Sequence, residues 1–394
     1  MSLALNTTLA QLQAIAKCPM PRATAMPKAM YVLPEILAKE EERIFAAGWL
    51  CAGRADELLD VGDYMTFEHG RQPVIIFRGG DGRIQAHANV CRHRMMRLVD
   101  GRGNARKFTC PYHAWTYDLD GQLVAAPFMD KTECFNKADL GLHPVRCEIY
   151  QGWIYLSLDP NAEPVADALA DLTPIMADYT QEDYVTIFAE DHVWDTNWKC
   201  LTENFMESYH LPVAHKATVG AHQNTDQTSF DPAGAHDAYT YQLFTKRDTT
   251  PVGCAHPNNT RLKGRWRNTS VMPTVFPSHM YVLAPDHLWY LALQPDGVGR
   301  TRIRYGAAIA PEMLAAQNDR DGFIADTKAF LDQVQIEDKH VVEGMYRGAQ
   351  SPLGSSGPLS WLERANHEFT QYLARRLCGN DPFDRQSDLS LIHI

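Results

Sequence analysis

Four residues in the first third of the chain have the types and spacing of a metal centre. Cys91-Arg-His93 is followed, after sixteen residues, by Cys110-Pro-Tyr-His113. Two thiolates and two imidazoles can close a tetrahedral zinc site. They can also hold a [2Fe–2S] cluster in which both cysteines bind one iron and both histidines the other. Context separates the two. A zinc site of this composition typically pairs CxxC with an HxxxH that enters a helix. Here each Cys–His pair sits among β-formers and turn residues, the second within CPYHAW. That context favours the mixed-ligand cluster.

A second set follows at 197–215, NWKCLTENFMESYHLPVAH. On a helix, Glu203, Glu207 and His210 share a face. His210 and His215 are five residues apart, roughly 140° out of alignment at about 100° per residue. They can share a metal only if the helix kinks or ends between them, and Pro212 supplies that break. Two histidines in an ordinary helix and loop are the plainer reading. A carboxylate would complete a two-His-one-carboxylate triad, which leaves positions open for O2 on non-heme Fe(II). The helical pattern near 320–347 offers Asp338, roughly 20° from the centre of an apolar stripe that includes Leu331, Val334 and Val342. A carboxylate in the middle of an apolar face is costly to bury unless paired or metal-bound. Glu337, about 80° from that centre, is the alternative ligand, and a salt bridge from Asp338 to a core arginine is the plainer account.

The elements that must position these residues fall into two textures. Residues 34–47 read as a helix, with Pro34 in its first turn and Ile36, Leu37, Ile44 and Phe45 on one face. From about 46 to 158 the chain is a series of short β-rich runs broken by Gly, Asp and Pro, with hairpin turns at 79–82 and 118–121. Beyond Pro160, helical patterns near 165–178, 198–211, 320–347 and 360–378 alternate with strand patterns near 184–195, 238–246, 271–283, 286–294 and 300–310. Long helices around an antiparallel sheet predict an α+β domain. The expected division is a β domain at 46–158, a second domain from 1–45 and 159–380, and a disordered tail at 381–394.

The 394 residues suit two domains. Lys and Arg number 37 against 48 Asp and Glu, a net charge of −11. Without a basic run, such a chain is a poor candidate for nucleic acid or an anionic membrane. No stretch of about 18 apolar residues occurs, and the first residues lack the pattern of a signal peptide. Nine dispersed cysteines point to reduced thiols and a cytoplasmic protein. Between the two iron segments lie Phe230, Tyr239, Trp266, Phe276, Tyr281, Trp289 and Tyr290. They are core residues, or they hold an aromatic ring or quaternary ammonium. His222, His236, His256, Asn258 and Asn259 fall in a loop-rich stretch, 216–265, that could cover a pocket. Arg261, Arg265 and Arg267 could bind a carboxylate or form a solvated rim.

NVCRHR and FTCPYHAWTYDLDG closely resemble the Rieske domain of the Rieske non-heme iron oxygenases, the ring-hydroxylating oxygenase alpha subunits. ENFMESYHLPVAH and IEDKHVVEGMYRG are similar to the segments that carry that family's mononuclear iron ligands. The resemblance spans about residues 30 to 378. Two positions depart from it: Met95 stands where Gly often follows CRHR, and Ala114 replaces the Gly common after CPYH. The resemblance implies an all-β Rieske [2Fe–2S] domain joined to a helix-grip catalytic domain, in a homotrimer. It implies Cys91, His93, Cys110 and His113 as cluster ligands, and His210, His215 and Asp338 as ligands of a mononuclear Fe(2+). Glu207 takes the position of the carboxylate that bridges the two centres across a subunit interface. The implied activity is that of a terminal oxygenase fed by a separate NAD(P)H-dependent reductase, with or without a ferredoxin. It would use O2 to hydroxylate or oxidatively dealkylate a small organic substrate, aromatic or quaternary amine. Ring cis-dihydroxylation is a second reading. A Rieske electron carrier, or a zinc-stabilised binding protein, is a third and has no need of the second ligand set.

Overall fold

The computed structural model describes residues 2–221, 225, 228–231, 236–246 and 252–379. His222 and the expected tail at 381–394 lie outside the described residues.

The β-rich block forms ten strands: β1 Leu50–Arg54, β2 Asp63–His69, β3 Gln72–Arg78, β4 Ile84–Ala88, β5 Arg102–Asn104, β6 Phe108–Thr109, β7 Thr116–Tyr117, β8 Leu123–Ala125, β9 Pro144–Tyr150 and β10 Trp153–Ser157. They make a seven-stranded sheet ordered β1-β10-β9-β4-β3-β2-β5 and a three-stranded sheet β6-β7-β8. Both expected hairpin turns form. Gly82 N donates to Gly79 O between β3 and β4, and Gly121 N to Asp118 O between β7 and β8. Gly82 and Gly121 have φ of +78° and +76°, which an L side chain enters only under strain.

The second sheet contains β11 Val185–Trp194, β12 Thr228–Phe230, β13 Tyr239–Thr245, β14 Thr269–Val275, β15 His279–Leu283, β16 His287–Pro295 and β17 Thr301–Ile309. Its order is β11-β17-β16-β15-β14-β13-β12, antiparallel throughout. One face packs with the helices Trp198–Phe205, Arg320–Gln350 and Arg364–Cys378 in a single core. The other meets the β domain, where Trp153 and Tyr155 pack with Tyr281 and Tyr290. There the buried Arg54 donates to Asp56, Gln181 O and Tyr184 O. This is the expected α+β architecture, an all-β domain joined to a second domain of antiparallel sheet and long helices. Among the described residues no helix is long and apolar enough to cross a membrane.

The departures from expectation have local causes. The helix read at 198–211 ends at Phe205. Pro212 cannot sit inside a helix, because its ring would meet the carbonyl four residues earlier. It occupies the first turn of a separate short helix, Leu211–Ala214. The 165–178 helix is likewise split, and Pro174 opens its second piece, Thr173–Met176. The single strand read at 271–283 is two, turned at Pro277, which has no N–H for a ladder. The helix Leu3–Ala16 and strand β12 are additions to the reading. That helix is capped by Ser2, buries Leu5 and Leu12, and lies against the C-terminal helix, where Gln371 Nε2 donates to Ala16 O.

The helix that leads into the second ligand set is pinned from behind. Lys199 Nζ lies 2.8 Å from Glu40 Oε1, and Trp198 Nε1 donates to Glu40 Oε2 at 2.8 Å. Both members of the ion pair are fully buried. Removing one partner of such a pair typically costs about 3–5 kcal/mol, because the other charge is stranded. The pair therefore fixes this helix in place rather than adding net stability over an apolar alternative.

Candidate metal centres

The two Cys–His loops of the β domain have the same backbone design. In the first, Met95 N donates to Cys91 O and Cys91 N to Met96 O. In the second, Ala114 N donates to Cys110 O and Cys110 N to Trp115 O. Each loop turns through a residue at φ +58°, Met95 in one and Ala114 in the other. These are the two positions where glycine stands in the resembled pattern. The left-handed turn is thus kept by residues that pay a steric cost for it. That cost is about 1–2 kcal/mol for an L residue, less what glycine loses in unfolded-chain entropy. Ala114→Gly is accordingly expected to raise stability by up to about 1 kcal/mol without changing the cluster. A denaturant midpoint that falls would show that the alanine methyl contributes packing worth more than the strain.

The loops put Cys91 and Cys110 inside and His93 and His113 at the surface. The imidazoles lie 4.7 Å apart, and His93 stacks on the buried Trp115 at 4.8 Å and 9°. Tyr117 OH accepts from Arg92 N and lies 3.4 Å from Cys91 Sγ. Burial raises the pKa of the Cys91 thiol, and the Tyr117 hydrogen bond only partly offsets it. A thiolate in this position therefore needs a cation. Two inner thiolates and two outer imidazoles fit a cluster bound by two cysteines at one iron and two histidines at the other.

In the second set, His210, His215 and Asp338 offer ligand atoms that all lie within 4.8 Å of one another. Asp338 Oδ1 is 3.0 Å from His215 Nε2 and 3.6 Å from His210 Nε2. The remaining nitrogens are held by carboxylates. His210 Nδ1 meets Glu207 Oε1 at 2.5 Å, and His215 Nδ1 meets Glu337 Oε2 at 2.7 Å. Thr218 Oγ1 donates to the same Glu337 oxygen at 2.6 Å. Carboxylates in this place fix the tautomer that leaves Nε2 free to bind metal. Burial disfavours charge on His215, yet Asp338 and Glu337 outweigh it and raise its pKa. Burial would raise the Glu337 pKa, but Thr218 and His215 bring it below the usual range. Two imidazoles and one carboxylate, gathered at the edge of the core, fit an Fe(II) site with open positions.

The helix break thus lies before His210 rather than at Pro212. Glu207 Oε2 accepts from the amides of Tyr209 and His210, which stabilises the turn. Glu207 and His210 do meet, through that turn and not along a helix. Glu337 stands outside the group of three, as the partner of His215 Nδ1. The partnering roles of Glu337, Thr218 and Tyr117 are not apparent from sequence spacing.

The aromatic residues of the sheet do not converge. Tyr239, Tyr281 and Tyr290 face the β-domain side, while Phe276 and Trp289 face the helices. Phe276 stacks on Tyr372 within the core, Phe230 lies edge-on to Trp361, and Trp266 lies edge-on to Tyr179. The arginines are engaged as well. Arg261 pairs with Asp183 and Glu312, Arg267 donates to main-chain carbonyls including Leu262 O, and Arg265 lies over Trp266. His236 pairs with Asp231 and stacks on Tyr239. His256 Nδ1 accepts from Asn258 N, and Asn259 Oδ1 accepts from Arg261 N.

Comparison with known proteins bears on both domains. Residues 48–136 match the Rieske [2Fe–2S] domain, and residues 176–379 match the ring hydroxylating alpha subunit catalytic domain. The oxygenase subunit of carnitine monooxygenase from Acinetobacter pittii (strain PHEA-2) is 35% identical over 196 residues, 49% of this chain and 53% of that protein. The chain thus spans about half the length of the first curated relatives it matches. Chloroplastic choline monooxygenase from Arabidopsis thaliana is 24% identical over 365 residues, 90% of this chain and 83% of that protein. The crystal structure of the quaternary ammonium Rieske monooxygenase CntA with an inhibitor superimposes with a TM-score of 0.79 at 25% identity, covering 92% of this chain and 98% of that one. With the catalytic-domain match alone covering more than half of its length, the chain belongs to the ring-hydroxylating alpha subunit family, the Rieske non-heme iron oxygenases.

Proposed function

We propose that this chain is the terminal oxygenase of a multicomponent Rieske system and acts on a small quaternary amine. The observation that carries the reading is the convergence of His210, His215 and Asp338, with both Nδ1 atoms already engaged by carboxylates. An electron carrier or a zinc-stabilised binding protein has no use for such a set. Cys91, His93, Cys110 and His113 hold the cluster, and Fe(2+) held by His210, His215 and Asp338 supplies O2 activation. The residues around the second site do the rest. Glu207 and Glu337 orient the imidazoles, and Asp338 supplies the negative charge that holds a divalent cation. The substrate class follows the relatives, whose names are those of carnitine, glycine betaine and choline monooxygenases. Hydroxylation of a carbon beside nitrogen would release an amine and a carbonyl product.

The partners follow from the same reading. Electrons come from a separate NAD(P)H-dependent reductase, directly or through a ferredoxin, and the protein works in the cytoplasm. The assembly is a homotrimer that sets the cluster of one copy beside the mononuclear site of the next. Large apolar side chains stay exposed at both places, Met95 and Tyr112 next to the cluster ligands and Tyr209 and Val213 next to His210. Such patches suit a head-to-tail contact that closes into a ring.

Metal analysis tests this directly. The purified protein is expected to be brown, with about three irons and two acid-labile sulfides per chain when both sites are full. A colourless protein holding only zinc would overturn the oxygenase reading.

A further inference from the structure

The pairing of the catalytic sheet aligns one row of side chains on its helix-facing side. Gln242 is opposite Met272, Val282 opposite Trp289, and Trp289 opposite Ala307. Residues directly opposite in antiparallel strands share a face, and Met272, Val282, Trp289 and Ala307 all pack against the core that contains the helix Trp198–Phe205. The adjacent row on the same face, Thr240, Thr274, Met280, Leu291 and Tyr305, is buried throughout. Met272, Val282 and Trp289 are only partly buried, although each lies inside its strand and the three strands are neighbours. A packed interior leaves few gaps that admit water. Partial exposure at this place, between sheet and helices, marks the wall of a space that solvent reaches.

That wall adjoins the chain carrying the second ligand set. The Phe205 ring lies 5.1 Å from that of Trp289, edge to face. Gln242 Nε2 donates to Met206 O at 3.0 Å. Phe205 and Met206 directly precede Glu207. Gln242 Oε1 is buried and has no hydrogen-bond partner among the described residues.

We propose that this row holds the cationic head of the substrate, with Trp289 as the specificity-determining residue. The inference rests on the quaternary-amine reading above and adds the residues that recognise the amine. A trimethylammonium group has no N–H and cannot be read by hydrogen bonds. Its charge is spread over methyl groups, which gain from an indole face. The Met272 thioether beside it is polarisable and suits the same head. A tert-butyl group has the same shape without the charge, so it gains from burial alone.

Calorimetric titration of the iron-loaded protein tests the proposal. Glycine betaine and choline are each compared with the analogue in which tert-butyl replaces trimethylammonium. Trp289→Leu is expected to weaken binding of the cation about tenfold and that of its tert-butyl analogue less than twofold, with Trp289→Phe intermediate. Equal losses for both members of a pair, or no loss, would overturn the role of Trp289 while leaving the quaternary-amine reading intact. If the wild type binds neither betaine, choline nor carnitine, that reading fails and this inference with it. Should Trp289→Leu not fold, Trp289→Phe decides alone, since tryptophan is the strongest cation–π partner; an unchanged preference for the cation would be the contrary result.

Discussion

His215→Ala is expected to abolish product formation while leaving the absorbance of the cluster unchanged. His215 is nearly fully buried and holds three contacts at once. Its Nε2 faces Asp338, its Nδ1 faces Glu337, and its ring lies 5.1 Å from that of His210. Alanine removes one of the three proposed ligand atoms and leaves Asp338 and Glu337 without the group that separates and pairs them. His210 and Asp338 alone would hold iron far less well, so loss of metal and of turnover should coincide. Activity should fall by at least about a thousandfold, consistent with a group whose removal takes away the reactive centre itself. The cluster loops share no residue with this site, and their absorbance is the internal control. Cys110→Ala should give the opposite pattern, a bleached protein that still binds one iron. Near-normal turnover by His215→Ala would remove it from the ligand set.

The two proposed metal sites differ in how far they can be read from sequence. Cys91, His93, Cys110 and His113 announce themselves because each pair is local and its loop is closed by its own backbone. Their hairpin context follows from short β-rich runs and turn residues. The second site joins residues 210, 215 and 338, and no local pattern links the last to the others. Asp338 is suggested only by its place in an apolar stripe. The sequence puts the break in the ligand helix at Pro212, whereas the steric demand of that proline is met earlier, by a turn held on the carboxylate of Glu207. Which of two adjacent carboxylates meets the Nε2 atoms of both histidines, and which meets only His215 Nδ1, depends on how the long helix is rotated against its neighbours. That rotation is set by the packing of Leu331, Val334 and Val342, not by spacing alone. The row through Trp289 is hidden for another reason. It exists only across strands, and a strand read singly shows alternation but not which residues stand opposite one another.

Glu207→Gln should slow electron transfer from the reduced cluster to the mononuclear site by orders of magnitude while both metals stay bound. Glu207 uses one oxygen on the amides of Tyr209 and His210 and the other on His210 Nδ1. All three are donors when His210 binds metal through Nε2, so the carboxylate accepts from every one of them. Glutamine has one acceptor and one donor. Whichever way its amide is turned, an N–H faces another N–H, and either the turn or the imidazole loses its anchor. The turn has further support, since Ser208 Oγ lies 2.9 Å from Thr228 Oγ1, so the imidazole is the weaker point. In the trimer proposed above, the same carboxylate would bridge to His113 of the adjoining copy, and the substitution would disturb that link too. Single turnover separates these effects. The cluster is reduced, substrate and O2 are added, and reoxidation is followed by absorbance, with iron content and oligomeric state measured on the same sample. Reoxidation at the wild-type rate would take Glu207 out of the electron route and leave it as the residue that shapes the turn. Loss of the mononuclear iron alone would make its main role the orientation of His210.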